Sequence, residues 1–148
     1  MKSQIKETPK IASKSLTNAE IFTLSFALKN SLNMGLGADS FLNYIELSLK
    51  VDEISKARAK AIKLLMNGYG IKEPKFINGH QLGWVYDKHP KKVEITEKLD
   101  AISKVEHLVS PTNFMSGEEF KIFTSAGING KPLDMGNVVS LSKILLKQ

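Results

Sequence analysis

The longest ordered pattern in the chain lies between Phe41 and Leu65, "FLNYIELSLKVDEISKARAKAIKLL". Steps of three and four pick out Tyr44, Leu47, Val51, Ile54, Arg58, Ala61 and Leu65, a heptad seam with one charge set into it. That period is helical. With Asp39 or Ser40 as the cap and Gly68 as the stop, the spacing predicts a helix of about 27 residues, roughly 40 Å long. Acidic Glu46, Asp52 and Glu53 precede basic Lys56, Arg58, Lys60 and Lys63. This order suits the helix dipole and permits i,i+4 pairs such as Asp52–Lys56.

A shorter helix precedes it. Thr17 and Glu20 in "TNAEIFTLSFALKNSLNMG" have capping-box spacing, so each side chain can satisfy an orphan backbone donor. Ile21, Leu24, Leu28 and Leu32 form one apolar stripe, Phe22 and Phe26 widen it, and Gly35 is placed as a left-handed stop. Because the linker "LGADS" is short, the two helices should fold back as an antiparallel hairpin.

Beyond it the pattern changes. "YGIKEPKFINGHQLGWVYDKHP" is rich in Gly and Pro and sets Asn78-Gly79 between "KFI" and "HQLGWVY", a signal for a short β-hairpin or ordered loop. "KKVEITEKLDAISKVEHLV" then puts Ile95, Leu99, Ile102 and Val105 on one helical face, with Pro111 beyond its end. Its last turn also suits a strand, through Val105, Leu108 and Val109. Ser116 and Glu119 repeat the capping-box spacing before a fourth helix. Asp134 is placed to cap a last one carrying Val138, Leu141, Ile144 and Leu145.

The expected fold is mainly α, or α+β if the middle hairpin forms. It comprises an antiparallel helical hairpin with a long second helix, a short β-hairpin or ordered loop, and further amphipathic helices. Residues 1–15, polar and lysine-bearing, read as a flexible basic tail, and residues 16–148 as a single helical domain.

Composition adds exclusions. There is no cysteine, so neither disulfides nor a thiolate metal site can form. The start "MKSQIKETPKIASKS" has no signal-type apolar core and no run reaches membrane-span length, so the expectation is a cytoplasmic protein. His80, Asp87 and His89 lack the helix-borne pair of a zinc site, and His107 stands apart. The clusters "GLGADS" and "GYGIKEP" lack the spacing of a phosphate cradle, and no G-x-S-x-G surrounds a serine. Asp100, His107 and Ser110 are sequence neighbours of a kind that seldom makes a triad. The reading is a non-enzymatic protein with no metal, no cofactor and no small-molecule substrate.

Charge changes the picture in one respect. The formal net charge is +6, and one of the 21 basic residues is an arginine. Lys56, Lys60 and Lys63 share one side of the long helix and are the candidate polyanion contacts. A solvated face is the favoured reading of that row, because stacking aromatics do not alternate with its lysines. Nucleic acid is therefore expected to bind weakly.

The seam itself has a length problem. A first helix of about 17 residues covers only some two-thirds of it. Arg58, Ala61 and Leu65 are left over, to be closed by the third helix, the favoured case, or by another chain. Ile54, Arg58, Ala61 and Leu65 are hence the candidate partner contacts, with small Ala57, Ala59 and Ala61 allowing close approach. Trp84 and Tyr86, gathered with Tyr69 in the aromatic middle segment, read first as a roof over the helical core and second as partner contacts.

The order of elements carries a resemblance. "LTNAEIFTLSFAL", "YIELSLKVDEISKARAKAIKLL", a late "MSGEEF" and a closing "LSKILL" are similar to small tailed-bacteriophage proteins encoded among head and tail morphogenesis genes. The similarity covers roughly residues 16–147, with no counterpart for residues 69–90. It implies a virion-assembly or structural role without enzymatic activity, exerted on other proteins or on further copies of the chain, in the host cytoplasm or the virion. The alternatives are a lysine-rich nucleic-acid-associated protein and a phage-encoded inhibitor of a host protein.

Overall fold

A computed structural model describes residues 12–30, 35–77, 80–126 and 135–148. In chain order its elements are β1 (Lys14–Thr17), α1 (Asn18–Asn30), α2 (Ala38–Gly68), β2 (Pro74–Ile77), β3 (His80–Trp84), α3 (Lys92–Ser103), β4 (Glu106–Val109), α4 (Gly117–Ala126) and α5 (Met135–Leu145). The chain is thus mainly helical, with a long second helix and two small antiparallel sheets.

The first two helices do form an antiparallel hairpin, as their cross-contacts show. Phe22, near the start of α1, lies under Arg58. At its end Lys29 pairs with Asp52 at 3.0 Å, and the Tyr44 hydroxyl donates to the Leu28 carbonyl. Contacts advance along α1 while retreating along α2. The anticipated Asp52–Lys56 pair forms at 3.0 Å, so one carboxylate holds both helices. Phe22 and Phe26 are exposed and do not widen the buried stripe. Leu32 falls outside the described residues.

Both capping boxes form. The Thr17 amide donates to Glu20 Oε1 at 3.0 Å while the Glu20 amide donates to Thr17 Oγ1 at 3.2 Å. At α4 the Ser116 amide donates to Glu119 Oε1 at 2.9 Å, and the Glu119 amide to Ser116 Oγ at 3.2 Å. Local spacing alone specifies such motifs.

The stops differ from expectation. Gly68 is still helical; the left-handed residue is Gly70, at φ 72°. The Ile71 amide returns to the Met66 carbonyl and the Gly70 amide to that of Asn67, a Schellman closure with buried Met66 and Ile71 as its apolar pair. Gly35 is not in that backbone region either: it is needed for space, because a Cβ there would sit 2.5 Å from Ile122 Cγ2. Nor do Asp39 and Ser40 cap α2. Its N-cap is Gly37, whose amide donates to Glu119 Oε2 at 2.9 Å, while Ser40 Oγ donates to Glu119 Oε1 at 2.9 Å.

The last turn predicted for the third helix is extended. β4 pairs antiparallel with β1, Leu16 opposite His107, so Lys14 and Ser15 of the segment read as tail are in a strand. Between β2 and β3 the register shifts at Lys75/Phe76, and the Asn78-Gly79 turn lies outside the described residues. Asp134, the expected cap of α5, also lies outside them. Asn113, at φ 55°, ties down the C-terminus: its Nδ2 donates to the Lys143 and Leu146 carbonyls.

Two apolar clusters result. The larger joins α1, the first half of α2, α4 and α5 around Leu24, Leu47, Val51, Phe123 and Leu141. The smaller gathers Met66, Ile71 and Ile95, with Ile62, Trp84 and Leu99 packed against them. Among the described residues, helix α2 alone runs through both.

Candidate functional site

Arg58 stands between the two clusters. α1 ends its coverage of α2 here, and the guanidinium carbon lies 5.0 Å from the centroid of the Phe22 ring. Its Nε is buried without a hydrogen-bond partner. Burial pulls the group below its ordinary pKa, the sign expected for a cation drawn from water without a counter-charge.

Past Arg58 the seam does not continue as its heptad spacing implies. Ile54 is 9% exposed and belongs to the larger cluster, so it is not available to a partner. Ala61 is exposed and Leu65 half-buried, whereas the smaller cluster closes on Ile62 and Met66. A 3.5-residue repeat slips about 20° per heptad on a straight helix, and the buried face has moved off the seam by its third heptad. α3 does supply a closing partner through Ile95 and Leu99, but against that shifted face. Ala61→Glu is therefore expected to change stability by no more than about 0.5 kcal/mol, read from thermal melts.

Beside Arg58 opens a groove of about 600 Å³ between the second half of α2 and the β2–β3 hairpin. Four cations line it: Arg58, Lys60, Lys63 and Lys72. None of the four is in an ion pair among the described residues, whereas Lys29, Lys56, Lys98 and Lys104 all pair with carboxylates elsewhere. No Asp or Glu is among the described residues lining the groove. Phe22 and Trp84 both line it, with Ile62 and Pro74 adding apolar surface.

The candidate residues are thus redistributed. Of the lysine row, Lys60 and Lys63 face the groove, while Lys56 is held by Asp52 and is not part of its lining. Of the aromatic pair, Trp84 borders the groove, and Tyr86 packs half-buried on the smaller cluster. Phe22 and Lys72 carry no sequence signal for this site, since each reaches the groove only through the fold: Phe22 from α1, Lys72 from just beyond the Gly70 turn.

Histidine chemistry has structural uses instead. The Lys91 amide donates to His89 Nδ1 at 3.0 Å, so Nε2 carries the proton and donates to the Tyr69 carbonyl at 3.0 Å. Both ring nitrogens are engaged. Asp100 pairs with Lys104 at 2.9 Å, His107 lies in β4, and no hydrogen bond links these to Ser110. Among the described residues no group of three metal-ligating side chains gathers, and no helix is long and apolar enough to cross a membrane. Compared with protein-family models, with curated proteins and with solved structures, the chain matches none.

Proposed function

We propose that the protein is a non-enzymatic binding factor of the virion-assembly or structural kind, and that the groove beside Arg58 holds an anionic stretch of its partner. The observation that carries this reading is the convergence of four unpaired cations on one concavity with no carboxylate in its described lining. Held close together without counter-charges, they repel one another, and an anion removes that cost. Surface lysines kept only for solubility need no such focus and no aromatic border. The working place is the cytoplasm of an infected cell or the assembled particle.

Retention on heparin and on immobilised polyglutamate tests this whatever the partner is. Lys60→Gln/Lys63→Gln/Lys72→Gln is expected to elute from at least one of them at clearly lower salt than the parent. Lys50→Gln/Lys88→Gln/Lys92→Gln removes the same charge from exposed positions off the groove and is expected to elute close to the parent. Equal losses in the two variants would reduce the groove to net charge alone.

A further inference from the structure

We infer that the groove's occupant is single-stranded nucleic acid, with Lys60, Lys63 and Lys72 on its phosphates and Trp84 and the Arg58–Phe22 stack against its bases. This rests on the groove being the binding surface. It goes further by choosing among anions.

Three features make the choice. The first is the mixture of groups. Non-specific single-strand sites combine a cationic track for the backbone with aromatic faces for the bases. Along the sequence the lysines of α2 have no aromatics among them. In the fold, Phe22 from α1 and Trp84 from β3 are brought to the borders of the same groove as Lys60 and Lys63. Phe22 is 44% exposed and carries the Arg58 guanidinium over its ring. A guanidinium plane stacks on bases much as an aromatic ring does.

The second is the kind of cation. An acidic polypeptide is held most firmly by arginine forks, which match carboxylates bidentately. Here three of the four cations are lysines, point charges on flexible stems, and the lone Arg58 has its Nε sealed in the groove wall. Flexible point charges suit a phosphate chain read without regard to sequence.

The third is size. About 600 Å³ is the scale of a pocket for one drug-sized molecule, enough for roughly one or two nucleotide units. The hairpin side of the groove is open at Gly83, where a Cβ would meet no atom within 4 Å.

Trp84 is the one tryptophan of the chain, so its emission reports on the groove directly. Titration with an oligothymidylate of about fifteen nucleotides at low salt is expected to quench that emission. Log affinity should fall against log salt with a slope of roughly −2, the value for three lysine–phosphate contacts on a single strand. The triple Gln variant at Lys60, Lys63 and Lys72 should bind at least tenfold more weakly with a slope near zero. A duplex of the same length should bind more weakly than the strand. Trp84→Leu, followed by anisotropy of a labelled strand, should lose about tenfold. Because Trp84 also packs on the smaller cluster, quenching in the unaltered protein stands as the independent readout. Binding of polyglutamate with no quenching by the strand would assign the groove to an acidic protein segment, overturning this inference and leaving the groove reading intact. Duplex bound as tightly as single strand overturns it as well. Failure to bind either polyanion removes both.

Discussion

Gly35→Ala is expected to destabilise the fold by about 1–3 kcal/mol, the usual cost of forcing an atom into filled space. The new methyl would meet Ile122 Cγ2 at 2.5 Å, inside any real carbon–carbon contact, and Ile122 Cβ at a tight 3.1 Å. A β-branched side chain on a helix has essentially one χ1 well and cannot swing aside, so α4 or the α1–α2 connection must retreat. Ile122 is itself 49% exposed, and trimming it to alanine should cost little on its own. In the Gly35→Ala background the same trimming should restore most of the loss. Urea denaturation of the parent, both single variants and the double gives the coupling energy. Strictly additive effects would show that Gly35 is not there for the sake of Ile122.

Glu119→Gln is expected to cost about 2–3 kcal/mol, because one carboxylate serves the starts of two helices. It accepts from the Ser116 amide, the Gly37 amide and Ser40 Oγ, each at 2.9 Å. An amide has one acceptor oxygen, so its NH2 would face at least one of these donors. The loss should depend on pH. Partial burial pushes the Glu119 carboxyl upward, but the bonds from the Ser116 and Gly37 amides, then from the Ser40 and Ser116 hydroxyls, outweigh it and hold the pKa below its usual value. Its contribution is therefore complete above the unfolded-state value of about 4.3 and is lost as pH falls through the lower folded-state value. Parent and variant should differ near neutrality and converge in acid. A difference that persists in acid after the folded-state carboxyl has itself been protonated would mean that shape rather than charge is at stake.

How far the sequence foretold this molecule depends on how local each feature is. The boxes at Thr17–Glu20 and Ser116–Glu119 involve four residues apiece and are legible in the chain itself. Arg58 is legible as the place where a short helix stops covering a long one, which is a matter of counting turns. The same counting misplaces Ala61 and Leu65, because a heptad ruler laid on a straight helix drifts. Glycine roles are harder. Gly68 and Gly70 both suit a stop until Met66 and Ile71 pack together, and Gly35 looks like a turn residue until α4 arrives beside it. Least legible is the groove. Phe22, Lys60, Lys72 and Trp84 sit on four separate segments, and their meeting is a property of the tertiary fold. Inspection of Lys56, Lys60 and Lys63 alone points away from base stacking for that reason.

The groove also has walls of unequal firmness. Phe22 belongs to α1, rooted in the large cluster, while Trp84 leans on the small one around Met66, Ile71 and Ile95. A small group of buried side chains opens at lower free energy than a large one, and the hairpin can detach while the helical bundle stays folded. The groove is therefore expected to open at a lower temperature than the fold melts. On warming, a strand bound as proposed between its walls would postpone that opening by an amount that grows with the logarithm of its concentration.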